Sequence, residues 1–219
     1  MTMIQKLLSE LIGTFALVFC GTGAIVINEV SGGVIGHLGI ALTFGLIVAS
    51  MIFSLGDVSG AHLNPSVTLA FFAAKRFPAK NVLPYCLAQL MGALLASAIL
   101  RYLFPESASL GATLPSYGVG KAIVLEFIMT FILVLVIFNV SAGSKEKGMT
   151  AAIAIGSVVA LEALFGGPVS GASMNPVRSF APAIVSGHTE SLWIYLLIPT
   201  AAALVAVVVH TFLYKSDKS

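Results

Sequence analysis

The sequence predicts an all-α integral membrane protein of six transmembrane helices plus two re-entrant half-helices, arranged as an inverted repeat. Three observations carry this. Hydrophobic residues make up 58% of the 219-residue chain and charged residues only 9%, where a typical soluble domain has about a quarter charged. Six apolar runs are long enough, or nearly so, to cross a hydrocarbon core about 30 Å thick. The run Ser59-Gly60-Ala61-His62-Leu63-Asn64-Pro65-Ser66 also returns, 111 residues later, as Ser170-Gly171-Ala172-Ser173-Met174-Asn175-Pro176-Val177.

In chain order, the first run is Leu7–Asn28. It starts close to Met1, but its length and the lack of a clean cleavage site mark it as a retained span rather than a signal peptide. Ser31-Gly32-Gly33 separates it from Leu38–Gly56. The next apolar stretch, Asn64–Ala74, reaches only about halfway across at about 1.5 Å per residue. The Lys75–Pro84 stretch reads as a loop, then Leu83–Phe104 as the third span. Pro105–Gly120 connects to Ala122–Ala142, Gly143–Gly148 to Thr150–Phe165, and Gly166–Pro168 reads as a break. Asn175–Val185 is the second short run and Leu192–Tyr214 the last span. In each short run Asn is a helix cap and Pro stands at the first helical position.

Charge predicts sidedness. Lys6, Lys75, Arg76, Lys80, Lys145, Lys147, Lys215 and Lys218 fall on one side of this layout, and Arg101, Lys121 and Arg178 on the other. By the positive-inside rule both termini are cytoplasmic. The first half-helix then enters from the cytoplasm and the second from outside. Three spans per half make the second half inverted, so 1–219 is a single domain with halves 1–110 and 111–219. Glu10-Leu11-Ile12-Gly13-Thr14-Phe15 and Glu126-Phe127-Ile128-Met129-Thr130-Phe131 extend the repeat. Broken helices that meet at the midplane put a site where the halves meet, and two facing positive helix ends there repel cations. Arg178 adds a fixed cation, and a charge at that depth is costly enough to be functional by default.

These residues together identify a family. Two Asn-Pro motifs with Ser-Gly-Ala flanks, Arg178 two residues after Pro176, and Glu10 and Glu126 in spans one and four resemble the major intrinsic proteins, the aquaporins and aquaglyceroporins, over nearly the whole chain. The resemblance implies a homotetramer in which each monomer has its own pore. Aligned on the motifs, the four positions of the selectivity filter fall on Phe44, Ala163, Ala172 and Arg178. Water-selective members generally carry His where this chain has Ala163, so the opening should be wider and less polar. Glycerol-selective members usually have Asp where Ser179 stands, which counts against a dedicated glycerol facilitator. Tyr195 and Leu196, before Pro199, resemble the solute-permeable branches. Ser66 and Val177 replace the usual Ala and resemble nodulin-like proteins that pass undissociated metalloid acids; Val177 is equally accounted for as a neutral packing variant.

Among the other polar residues, Glu10 and Glu126 read as buried acceptors that brace the half-helix loops. His62 is placed on the cytoplasmic half of the pore with Ser173 as its counterpart. Glu162, beside Ala163, is expected either to face loop carbonyl or amide groups near the outer mouth or to help dehydrate a polar solute. Gln89 and Gly92 read as helix-packing positions, and His37, His188 and His210 as structural or solvated.

The reading is therefore a passive channel for water and small uncharged solutes such as glycerol-like polyols and neutral metalloid hydroxides, arsenite among them, that excludes ions and protons. The alternatives are a water-selective aquaporin and, in another class, a secondary transporter coupled through Glu10, Glu126 or Glu162. A scaffold role would leave Arg178 and both Asn caps without a purpose. No nucleophile–base pair is visible, so no enzyme is expected; no cofactor or metal site is called for, since Cys20 and Cys86 have no Cys or His neighbour at ligand spacing. A net charge of +2 with no basic patch interleaved with aromatics excludes nucleic acid as a partner. The short tails point to a prokaryotic inner membrane.

Overall fold

The computed structural model describes residues 1–141 and 145–214, the side chains of 145–149 excepted. Lys145, Lys147, Lys215 and Lys218, expected to mark the cytoplasmic face, have side chains outside the described residues. The elements are α1 (Met3–Val30), α2 (Gly36–Ser59), α3 (Pro65–Ala73), α4 (Ala79–Leu103), α5 (Val119–Val140), α6 (Lys145–Ser170), α7 (Pro176–Ser186) and α8 (Leu192–Leu213). Six of them, all but α3 and α7, are long and apolar enough to cross a membrane. At about 1.5 Å per residue, the 9 residues of α3 and 11 of α7 fall well short of that.

The helices pair in a way that repeats itself. α1 packs on α2 and α4, and correspondingly α5 packs on α6 and α8. Each half-helix lies against the third span of both halves, α3 on α8 and α4, α7 on α4 and α8. α2 and α6 cross at the centre through Gly45 and Gly156. A methyl on either glycine would collide with the other's carbonyl oxygen, so the backbones touch there. Gly92 brings α4 equally close to Leu11 of α1. Small residues at crossings are how membrane helices gain packing energy when lipid removes the hydrophobic drive.

Three stretches expected to be loops are partly helical. α4 starts at Ala79 and carries Pro84 inside it. The carbonyl that Pro84 leaves free belongs to Lys80, an exposed residue, where water can satisfy it. α6 begins at Lys145, inside the expected Gly143–Gly148 loop. It also runs through Gly166-Gly167-Pro168 to Ser170. Proline removes an N–H and frees the carbonyl four residues earlier, here that of Leu164. His37 of α2 supplies the missing donor, its Nε2 lying 2.5 Å from that oxygen. The helix therefore continues past Pro168 at the cost of one bond to another helix.

Candidate functional site

Asn64 and Asn175 meet at the centre of the bundle and lock the halves together. Each sits in an extended conformation before a proline at the first helical position. Asn64 Oδ1 accepts from the N–H of Ser66 at 2.8 Å, and Asn175 Oδ1 from that of Val177 at 3.2 Å. The amide nitrogens cross over: Asn64 Nδ2 donates to the carbonyl of Met174 at 2.7 Å, and Asn175 Nδ2 to that of Leu63 at 2.8 Å. A primary amide has two N–H donors, so each Asn keeps one, and both residues border the central cavity.

The loops before the two prolines share one unusual backbone. Gly60, Ala61 and Leu63 have φ of 89°, 45° and 52°, and Gly171, Ala172 and Met174 repeat this at 85°, 43° and 55°. Left-handed non-glycine residues cost about 1–3 kcal/mol each and persist only where the surroundings over-determine them. Here the buried glutamates do so. Glu10 Oε1 accepts from the Ser59 hydroxyl (2.7 Å) and His62 N (2.9 Å), and Oε2 from Leu63 N and Gln89 Nε2 (both 2.8 Å). Glu126 Oε1 accepts from the Ser170 hydroxyl (2.8 Å) and Ser173 N (2.9 Å), and Oε2 from Met174 N (2.9 Å). Two tyrosines complete the symmetry: Tyr85 donates to the carbonyl of Ser59 and Tyr195 to that of Ser170. Tyr195 is thus a fully buried brace, the partner of Tyr85, and does not border the cavity.

The cavity, about 1060 Å³, runs from a mouth bordered by Lys6, Asp57 and Arg76 on the face that carries the N-terminus, past both asparagines, to Phe44, Ala163, Ala172 and Arg178. Arg178 is 2% exposed. Its Nη1 donates to the carbonyl of Gly111 at 2.8 Å, and its Cζ lies 4.9 Å from the Phe44 ring centre. Its Nε has no hydrogen-bond partner among the described residues. Two groups here were not found from the sequence. Gly111 supplies the carbonyl that holds Arg178. Gly21 stands directly behind Phe44, where any side chain would meet the ring. Its only signal was the Gly21-Thr22-Gly23 triplet inside an apolar run.

Ser66 and Val177 do not border the cavity. Ser66 is fully buried with its hydroxyl 3.1 Å from that of Thr200 on α8, and Val177 packs in the apolar core. Ser179 is fully buried too, in a chain of hydroxyls. Thr113 donates to Ser179 (2.8 Å), Ser179 lies 2.5 Å from Ser173, and Ser173 donates to the carbonyl of Asn175 (2.9 Å). The serine thus ties the 104–118 connection to the second motif. His62 borders the cavity and stacks on Phe71 with ring centres 4.7 Å apart. Its Nδ1 lies 3.1 Å from the Thr68 hydroxyl, which itself donates to the carbonyl of Asn64. Thr68 has only one proton to give, so the Nδ1 of His62 is the donor. Glu162 is 3% exposed, does not border the cavity, and has no partner for either carboxyl oxygen among the described residues. The loop carbonyls and amides expected to hold it do not. One turn along its face, Gly166 meets Met129 of α5. Among the described residues no cluster of His, Cys, Asp and Glu could hold a metal ion.

Comparison with known proteins shows the family and the fold. The family profile described as "Major intrinsic protein" matches residues 1–210. Nodulin-26 of Glycine max is 43% identical over 216 residues, covering 98% of this chain and 80% of its own length. Aquaporin NIP3-1 of Arabidopsis thaliana is 44% identical over 224 residues, covering 99% and 69%. The X-ray structure of the aquaglyceroporin from Plasmodium falciparum superposes with a TM-score of 0.87 at 24% identity, over 98% of both chains, which shows the shared fold. These plant relatives lend no support to a prokaryotic membrane. The chain belongs to the major intrinsic protein family, and it is an integral membrane protein that acts as a passive channel for water and small uncharged solutes and not as an enzyme.

Proposed function

We propose that the channel passes neutral polyhydroxylated solutes larger than water, glycerol-like polyols and undissociated metalloid hydroxides such as arsenite, and that Phe44, Ala163, Ala172 and Arg178 are its selectivity filter. The observation that carries this is that two of these four cavity-bordering residues end in a methyl, on the same stretch as a guanidinium and an aromatic ring. Arg178 offers donors to a hydroxyl and Phe44 a wall to the less polar side. A neutral trihydroxide can exchange part of its hydration for these contacts, whereas its anion faces the desolvation cost of a charge. The two half-helix N-termini add positive ends that oppose cations and a continuous proton wire. The remaining Asn64 and Asn175 N–H groups serve the permeating oxygen, His62 lines the approach from the face of the N-terminus, and Glu10 and Glu126 support the loops.

The proposal extends to assembly and orientation. Residues 1–110 and 111–219 are inverted halves of one channel domain, which the paired Glu10 and Glu126 networks support. Both termini are cytoplasmic, in line with Lys6, Arg76 and Lys80 on one face, and the channel assembles as a homotetramer as the family resemblance implies. Stopped-flow measurement on proteoliposomes with water, glycerol, urea and arsenite tests the solute range. Ala163→His should cut solute flux far more than water flux, and metalloid flux should fall as pH rises past the acid's own pKa. Equal loss of both fluxes, or exclusion of all three solutes by the unmodified protein, would leave the water-selective reading.

A further inference from the structure

Arg178 depends on a carbonyl from a segment that is itself held in a costly shape. The oxygen of Gly111 that accepts from Arg178 follows two successive left-handed residues, Leu110 with φ 51° and Gly111 with φ 72°. Leucine in that region is strained, and such strain persists only when neighbouring contacts enforce it. Three kinds of contact do so. The Leu110 side chain is fully buried against Val26 of α1 and Leu100 of α4. The Leu110 N–H donates to the Ser107 hydroxyl oxygen at 3.3 Å. Ser107, 1% exposed, is in turn held from both flanking helices.

From α1, Glu29 Oε2 accepts the Ser107 hydroxyl proton at 2.7 Å, and Oε1 accepts from the N–H of Ala108 at 3.2 Å. From α4, Arg101 Nη1 donates to the carbonyls of Ser107 at 2.8 Å and Pro105 at 3.2 Å. Charge-assisted bonds of this kind are stronger and more directional than neutral ones. Glu29 and Arg101 therefore grip one serine from opposite helices. That serine sets the turn whose next carbonyl faces the guanidinium.

We propose that Ser107, with Glu29 and Arg101, is a positioning residue for Arg178, and that this clamp on the 105–111 segment sets which solutes pass. The inference rests on Arg178 being part of the filter. Loosening the clamp lets the Gly111 carbonyl drift. The buried guanidinium then loses its one protein acceptor among the described residues and turns toward the lumen, where water can accept from it instead. The lumen narrows, and a solute with several hydroxyls is hindered more than water.

The test is the glycerol-to-water flux ratio of Ser107→Ala, Glu29→Ala and Arg101→Gln in proteoliposomes at matched protein amount, each alone and in an Arg178→Val background. Each clamp variant should lower the ratio by about threefold or more in the native background and leave it unchanged once Arg178 is gone, since coupled sites are non-additive. Glu29→Gln, which keeps one acceptor oxygen, should fall between the native protein and Glu29→Ala. If Ser107→Ala fails to insert, the exposed Glu29 and half-buried Arg101 carry the same test. Ratios unchanged in all clamp variants, or lowered equally in both backgrounds, overturn the inference. An unchanged ratio and no ion leak in Arg178→Val alone overturn the filter reading and this inference with it. A changed ratio there, beside unchanged clamp variants, overturns the inference alone.

Discussion

Gly21 makes a demanding prediction because it lies outside the channel and yet should control it. A Cβ built on Gly21 would lie 2.5 Å from Cδ1 and 2.7 Å from Cζ of Phe44. Carbon atoms rest at about 3.5–4.0 Å, so in Gly21→Ala the ring must retreat by about 1 Å. Its far side faces the cavity and Arg178, whose Cζ is 4.9 Å from the ring centre. The lumen is the soft direction, so the ring moves into it. An added core methyl typically costs about 1–3 kcal/mol of stability; separately, the ring's move into the lumen narrows it and adds a permeation barrier, taken as about 1.4 kcal/mol, for any solute wider than water. Since about 1.4 kcal/mol is tenfold in rate, glycerol flux should fall about tenfold and water flux only about twofold. Helix loss is no alternative explanation, because Ala in a helix interior is about 1 kcal/mol better than Gly. Stopped-flow light scattering on proteoliposomes with equal amounts of protein measures both fluxes. Removing the ring in Gly21→Ala/Phe44→Val should restore solute flux. Native glycerol flux in a well-folded Gly21→Ala would refute the reasoning, since it would mean that Phe44 does not bound the passage.

Other substitutions probe the frame. Glu126→Ala leaves the Ser170 hydroxyl and the N–H groups of Ser173 and Met174 without an acceptor. At about 1–3 kcal/mol per buried orphan, it should lower the detergent-solubilised melting temperature sharply or abolish folded protein, and a native melting curve would contradict the bracing role. Gly92→Val drives a side chain into the Leu11 carbonyl and must part α1 from α4, whereas Gly120→Ala meets nothing within 4 Å. Fluorescence-detected size exclusion should show a loss of monodisperse protein for the first only. Labelling with a membrane-impermeant thiol reagent from outside the cell should reach a cysteine at Ser109 and miss one at Lys145. The opposite pattern would reverse the orientation.

Helix ends and spans were readable because they depend on chain neighbours. An Asn before a Pro makes a cap wherever it sits, and Asn64 and Asn175 each cap with their own Oδ1 onto the residue two places on. A run of apolar residues is a span by length alone. The repeat also made Glu10 and Glu126 legible as loop braces, since a carboxylate in that setting must find donors. Proline misled the reading at Pro84 and Pro168. A proline's effect depends on whether its freed carbonyl finds a donor, and for Pro168 that donor is His37, 127 residues from Leu164.

The sequence by itself determined the class: six spans, two capped half-helices, an inverted repeat and a buried Arg178 are consequences of composition, period and local capping. Only the tertiary structure decided which groups face the passage. Ser66 turns to Thr200, 134 residues away, and Val177 to the core, so the altered third residues of both motifs do not line the channel. Gly111 reaches Arg178 across 67 residues, Ser179 is spent on Thr113 and Ser173, and Gly21 seats the ring of Phe44. Each of these contacts joins segments remote in the chain, and packing chooses among such partners by shape and by the need to satisfy every buried polar group, which no local pattern encodes.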